Sequence, residues 1–288
     1  SERAFNEKLS EENAPAAALS VDMRVQYALD EELRRGTEKF LAKASSGVVL
    51  NIKTGEILAM ASFPDFDPNQ PNQSSEAGDV LPQNRLNRAS MSVYELGSTF
   101  KPISIALALE NDVLEPGEKL QVQKPLIIQK KLIKDDHPSG VPLSIDDVLA
   151  KSSNRGTTLL SLRAGEDAQQ ALLRNLGLFD RVPFELSESA APILPGEWQD
   201  ITTATVSYGH GISVTPLALA TAIGALLNGG EYVAPTLQRI EPGTYVHSRR
   251  AVSPQTSARL VDMMRYVVTN GTGRNASVDG YEVMGKTG

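Results

Sequence analysis

The 288-residue chain has no cysteine, which excludes disulfides, thiol nucleophiles and cysteine-held metals. That absence suits an oxidising compartment. Histidine is scarce: His137, His210 and His247 lie far apart without the paired spacing of a metal site, and read as loop or surface residues. No apolar run is long enough to span a membrane, and no signal peptide is visible. The chain opens Ser1-Glu2-Arg3 rather than with methionine. It is therefore expected to be a processed or excised fragment, whose missing anchor says nothing about its parent. There is no G-x-S-x-G, which counts against an α/β-hydrolase. Internal repeats and low-complexity tracts are also missing. A net charge of −7 and a pI near 5.2 argue against a nucleic-acid partner. The length allows one large domain or two smaller ones.

What is present centres on Tyr94-Glu95-Leu96-Gly97-Ser98-Thr99-Phe100-Lys101-Pro102. Ile103 to Asn111 follows, apolar on nearly every side and readable only as helix. Ser98 and Lys101 are three residues apart, so at a helix start they share a face one turn apart. A serine hydroxyl is a weak nucleophile until a base takes its proton, and a desolvated lysine amine can be that base. No other serine has a lysine three residues on. Alone, the pair is common and better fits a surface serine near a solvated lysine.

Along the chain, Ser1 to Ala18 reads as a linker or the tail of another module. Leu19 to Asp22 is a short strand entering a helix cap, and Met23 to Lys43 an amphipathic helix. A hairpin follows: Gly47 to Ile52, a turn at Lys53-Thr54-Gly55, then Glu56 to Ala61. Pro64 to Arg88 is a long surface excursion. Short strands and turns are expected from Asp112 to Pro142, then a helix over Leu143 to Ala150 capped by Ser144. Further helices are predicted over Thr157 to Gly177, Pro216 to Leu227 and Pro254 to Thr269. Phe179 to Thr203 reads as irregular loop, Tyr208-Gly209-His210-Gly211 as a tight backbone feature, and Tyr281 to Gly288 as a strand. The expected plan is one mixed α/β domain with a mostly antiparallel sheet flanked by helices.

Three triplets occur in order: Ser98-x-x-Lys101, Ser152-Ser153-Asn154 and Lys286-Thr287-Gly288. S-x-x-K with S-D-N and K-T-G is the signature of class A β-lactamases and penicillin-binding proteins; here the middle element is Ser-Ser-Asn. Other matches are decoys. Lys53-Thr54-Gly55 is a second K-T-G, but it sits at a hairpin turn, where glycine and a solvated lysine are expected anyway. Gly280 to Thr287 satisfies G-x-x-x-x-G-K-[ST], yet its bulky Tyr-Glu-Val-Met interior is strand-like and no helix follows. Asp135-Asp136 reads as solvated charge and Asp146-Asp147 as helix capping. Glu95 leans to a structural role, while Gly209 and Gly211 either serve a turn or line the site.

Beyond the triplets, Ala18 to Gly288 resembles the transpeptidase domain of class B penicillin-binding proteins, most closely the septal peptidoglycan D,D-transpeptidases. Ser20 to Gln26, Thr54 to Met60, Leu194-Pro195-Gly196-Glu197 and Ser207 to Gly211 carry the resemblance. The chain departs from the family at Leu96, where many members have proline, and at His210, where many have an aromatic residue.

The resemblance implies a β-lactamase/transpeptidase-like fold ending before its last strands. It also implies an N-terminal non-catalytic module ending near residue 18, and no cofactor or metal. The expected activity is cross-linking of stem peptides ending in D-alanyl-D-alanine, with acylation by β-lactams. Partners would be division-complex membrane proteins, including a polytopic glycosyltransferase. The parent would be anchored by an N-terminal membrane helix at the periplasmic face of the inner membrane. Ser98 would be the nucleophile and Lys101 its base, helped by the cation of Lys286. Ser152 would relay the proton, Asn154 hold the substrate amide, Thr287 and Gly288 take the terminal carboxylate end, and Tyr208 and His210 line the pocket. The Ser98 N–H would be one oxyanion donor, the residue after Gly288 supplying the other. A lysine half neutral at pH 7 needs its pKa brought down from about 10.4, at a cost of about 4.6 kcal/mol. Readings left open are a β-lactamase, against which the missing Glu-x-x-Leu-Asn counts, a penicillin-recognising sensor or division scaffold, and a nucleotide binder.

Overall fold

The computed structural model describes residues 17–67, 69 and 82–288. The expected linker before Ala17 and most of the Pro64–Arg88 excursion lie outside the described residues. Helix α1 (Met23–Phe40) begins at Asp22, whose carboxylate accepts the Arg24 N–H at 2.9 Å. It covers one face of the hairpin β1 (Ser45–Leu50) and β2 (Ile57–Phe63), paired antiparallel. The turn glycine, Gly55, has φ +79° and sits so close to Ala234 that an added Cβ would meet its carbonyl oxygen at 2.2 Å. The second K-T-G is thus a backbone crossing, as its position suggests. Residues 236–238 extend this small sheet through bridges to Glu56 and Leu19.

A short helix α2 (Arg88–Met91) leads into a 3₁₀ turn, Gly97–Phe100, which runs directly into α3 (Lys101–Glu110). Every residue of α3 from Lys101 to Ala108 is buried, as a helix apolar all round requires. Packed around it are α4 (Ile145–Ala150), α5 (Asn154–Ala164), α6 (Glu166–Asn175), α8 (Pro216–Leu227) and α9 (Pro254–Asn270). Thr215-Pro216 and Ser253-Pro254 start α8 and α9 with a hydroxyl cap and proline in the first turn. Strands β3 (Leu126–Ile128) and β4 (Lys131–Ile133) form a second hairpin, and β5 (Glu231–Val233) pairs with β6 (Ser248–Arg250). The fold is mixed α/β and its strand pairs are antiparallel, in small two-stranded ladders.

Thr157 to Gly177 is helical as expected, in two helices: Gly165, at φ +88° and ψ 165°, ends α5 and caps α6. Two expectations need correction. The irregular loop stops short of Thr203, because α7 (Asp200–Val206) begins three residues earlier. Tyr281 to Gly288 forms no strand among the described residues; its one backbone bond to another element runs from Gly285 N–H to the Met264 carbonyl. Bulky side chains suggest a strand, but a strand also needs a ladder partner.

Candidate active site

Ser98 lies in the 3₁₀ turn and Lys101 at its end, the Lys101 N–H donating to the Ser98 carbonyl. The predicted one-turn spacing is therefore realised at the head of α3. Gly97 takes φ +53°, which turns the chain into that helix. The Lys101 side chain is fully buried. Its ammonium donates to the Ser152 carbonyl at 2.5 Å and to the Ser152 hydroxyl at 2.9 Å, joining the first triplet to the second. Burial, then the like charge of Lys286, brings its pKa down to about 7, against a smaller upward pull from Asp135 and Asp136.

Ser152 itself has φ +57°, a left-handed conformation uncommon without glycine. It is held from behind. Ser153 caps α5, its hydroxyl accepting the Gly156 N–H at 2.9 Å. The same hydroxyl donates to Asp135 at 2.9 Å, and the other Asp135 oxygen accepts the Arg155 N–H at 2.9 Å. Arg155 is buried too, its guanidinium donating to the Val122 carbonyl at 2.7 Å. Asn154 opens α5, its amide donating to the Lys134 carbonyl at 2.8 Å. Asp135 is thus not solvated charge, as its sequence neighbourhood implies, but a buried carboxylate at a helix N-terminus. Nothing in the sequence marks it, because the groups it binds lie 18 and 20 residues away.

The third triplet approaches the same place. A side chain at Gly288 would come within 3.0 Å of Thr99 Cγ2, next to Ser98. Lys286 is half-buried, and burial lowers its pKa to about 8. Its ammonium donates to the Thr287 carbonyl at 2.7 Å, and the Thr287 hydroxyl lies 2.7 Å from that of Thr272. On the other side, Gly209 (φ +81°) packs on Gly97 so tightly that an added Cβ would meet the Gly97 oxygen at 2.2 Å. The Glu95 carboxylate accepts the Gly211 N–H at 2.7 Å. Both glycines and Glu95 therefore lock the Tyr208–Gly211 turn to the residue before the serine. Tyr208 and His210 lie side by side there, ring centroids 5.2 Å apart. His137 and His247 are exposed, His137 lining a cavity of about 610 Å³ with Lys151, Thr272 and Arg274. Among the described residues no group of histidine, aspartate or glutamate is placed to hold a metal.

A serine at a helix head, a buried low-pKa lysine bonded to a second serine, and a cation-bearing extended segment alongside make an arrangement able to activate a hydroxyl for acyl transfer. Residues 45–288 match the penicillin binding protein transpeptidase domain, and the chain belongs to that family. It is 42% identical to the "Probable peptidoglycan D,D-transpeptidase FtsI" of Caulobacter vibrioides, over 94% of this chain and 46% of that protein. It is 34% identical to the "Probable peptidoglycan D,D-transpeptidase PenA" of Neisseria gonorrhoeae, over 96% of this chain and 46% of that protein. The apo TP domain of Burkholderia pseudomallei penicillin-binding protein 3 superposes with a TM-score of 0.82 at 30% identity, covering 93% of this chain and 76% of that one. The chain spans a little under half the length of the curated relatives it matches.

Proposed function

We propose that this chain carries the acylating centre of a peptidoglycan D,D-transpeptidase acting in cell division. The observation behind the reading is the Lys101 amine: buried, bonded to Ser152, one turn from Ser98, and held by burial well below the usual lysine range. Ser98 Oγ attacks the carbonyl of the penultimate D-alanine as Lys101 takes the hydroxyl proton. The C–N bond then breaks, and Ser152 passes the proton to the departing D-alanine amine. The ester left on Ser98 is attacked by the amine of a second stem peptide, which restores the serine. Asn154 steadies the donor amide, while Lys286, Thr287 and Gly288 receive the terminal carboxylate. Tyr208 and His210 form one wall.

A β-lactam ring opens by the same attack, but its leaving nitrogen stays tethered, so the adduct persists. Residues 19–288 form the transpeptidase domain, and 1–18 end a non-catalytic module or linker. The parent works at the periplasmic face of the inner membrane with division-complex membrane proteins, a polytopic glycosyltransferase among them. Among the described residues no helix is long and apolar enough to cross a membrane.

Mass spectrometry of the intact protein after benzylpenicillin treatment tests the reading. The expected result is a gain of one whole antibiotic on the peptide containing Ser98, absent in Ser98→Ala and persisting for minutes or longer. Loss of the adduct within seconds would indicate a β-lactamase instead.

A further inference from the structure

We propose that Asp135 is a positioning residue of this acylation centre: its buried carboxylate ties down the first turn of α5 and so holds Ser152 where the Lys101 amine can bond to it. The inference rests on the acyl-transfer reading above and extends it to a residue outside the three triplets.

The geometry is specific. Asp135 is 7% exposed, and each of its oxygens is used, one by the Ser153 hydroxyl and one by the Arg155 N–H. Those partners flank Asn154, and Ser153 immediately follows Ser152. The carboxylate also sits where the α5 dipole favours negative charge. Ser152 needs such a brace. Its φ of +57° is disfavoured for a residue with a side chain and persists only where the surroundings over-determine it. Arg155, the nearest buried cation in sequence, gives its guanidinium to backbone carbonyls of 122, 123 and 133. The negative charge of Asp135 is therefore free to act on the lysine as well as on the turn.

Lys101 is faced by one like charge, Lys286, and by the two carboxylates of Asp135 and Asp136, which pull its pKa upward. Removing the Asp135 charge must then lower that pKa and move the acidic limb of the acylation profile to lower pH. Simple loosening does the opposite: water admitted to the site returns the amine toward the value of a free lysine, and the limb moves up. The direction separates a positioning charge from a merely structural residue.

The experiment is stopped-flow acylation of the intact protein by a chromogenic cephalosporin from pH 5 to 9, for wild type, Asp135→Asn and Ser153→Ala. For Asp135→Asn, a plateau rate lower by about tenfold to 10²-fold is expected, the scale of catalytic misplacement, with the acidic limb displaced downward. An unchanged rate, or a limb that moves upward, overturns the proposal. Should Asp135→Asn fail to fold, Ser153→Ala keeps the charge and breaks one bond; it should slow acylation by about fivefold or more with the limb in place, and a wild-type rate overturns the proposal. If wild-type protein itself forms no Ser98 adduct, the acyl-transfer reading fails, and the proposal falls with it. Normal wild-type acylation beside indifferent variants condemns Asp135 alone.

Discussion

Replacing Lys101 by methionine should flatten the pH dependence of stability, whatever it does to activity. The wild-type amine has a pKa of about 7 in the folded protein and 10.5 when unshielded in the unfolded chain. Below pH 7 both states hold the proton; above it the folded state gives its proton up while the unfolded state keeps it. More protons on the unfolded state means that stability rises with pH, by up to about 1.4 kcal/mol per unit. At pH 7 the burdened lysine costs roughly 4 kcal/mol, and at pH 9 roughly 2 kcal/mol, by the same linkage. Wild type should therefore gain about 2 kcal/mol on Lys101→Met between pH 7 and pH 9.

The absolute difference at one pH is less telling, because methionine also strips the donor from the Ser152 carbonyl and hydroxyl. That loss is about 1–3 kcal/mol per orphaned group, but it is the same at both pH values and cancels in the comparison. Lys286 titrates in this window too, in both proteins, and largely cancels as well. Urea unfolding at 25 °C, followed by far-UV circular dichroism at pH 7, 8 and 9, measures the effect. Parallel curves, within about 0.5 kcal/mol over the range, would mean that Lys101 keeps its proton to pH 9. It could not then be the base at neutral pH.

The base itself is identified by kinetics. Lys101→Arg should slow β-lactam acylation by about 10² to 10⁴ or more, because guanidinium stays protonated, whereas alanine at His137, His210 or His247 should cost less than about tenfold; stopped-flow rates decide, and a histidine variant losing 10³-fold would reassign the role. Gly209→Ala should be destabilising by about 2–4 kcal/mol, or roughly 5–12 °C in Tm, since a positive φ and a clash with Gly97 add. Gly117→Ala, also at positive φ but facing open space, should lose only about 1–2 kcal/mol, and equal losses in the two would refute the close-packing account.

How much of this was written plainly in the sequence depends on how local each signal is. The caps of α4, α8 and α9 are hydroxyls within a turn of the helix they start; Ser144 was legible as one, while the helices from Pro216 and Pro254 were legible without their caps, Thr215 and Ser253. The head of α3 was legible because Ser98 and Lys101 stand one turn apart just before a run that is apolar on nearly every side. Three triplets in order then pointed to one site, and the fold brings Ser152 to Lys101 and Gly288 to Thr99. The failures are all non-local. The terminal segment has the bulky residues of a strand, but pairing is a property of two segments, and no described residue completes its ladder. Glycine at 165 could have sat inside a helix; only its observed φ of +88° makes it a break.

Asp135 is the sharpest case. Beside Lys134 and Asp136 it has the company of a surface charge, and no periodicity distinguishes the two carboxylates. Topology does: β4 ends at Ile133 with its side chain buried, the next inward-facing position is Asp135, and the α5 N-terminus stands opposite. A buried carboxylate is tolerable only where fixed donors replace its water, and here those donors are the very turn that presents Ser152. The residue hardest to read from the sequence is thus the one whose environment was built by another part of the chain, which is also why it can hold that part in place.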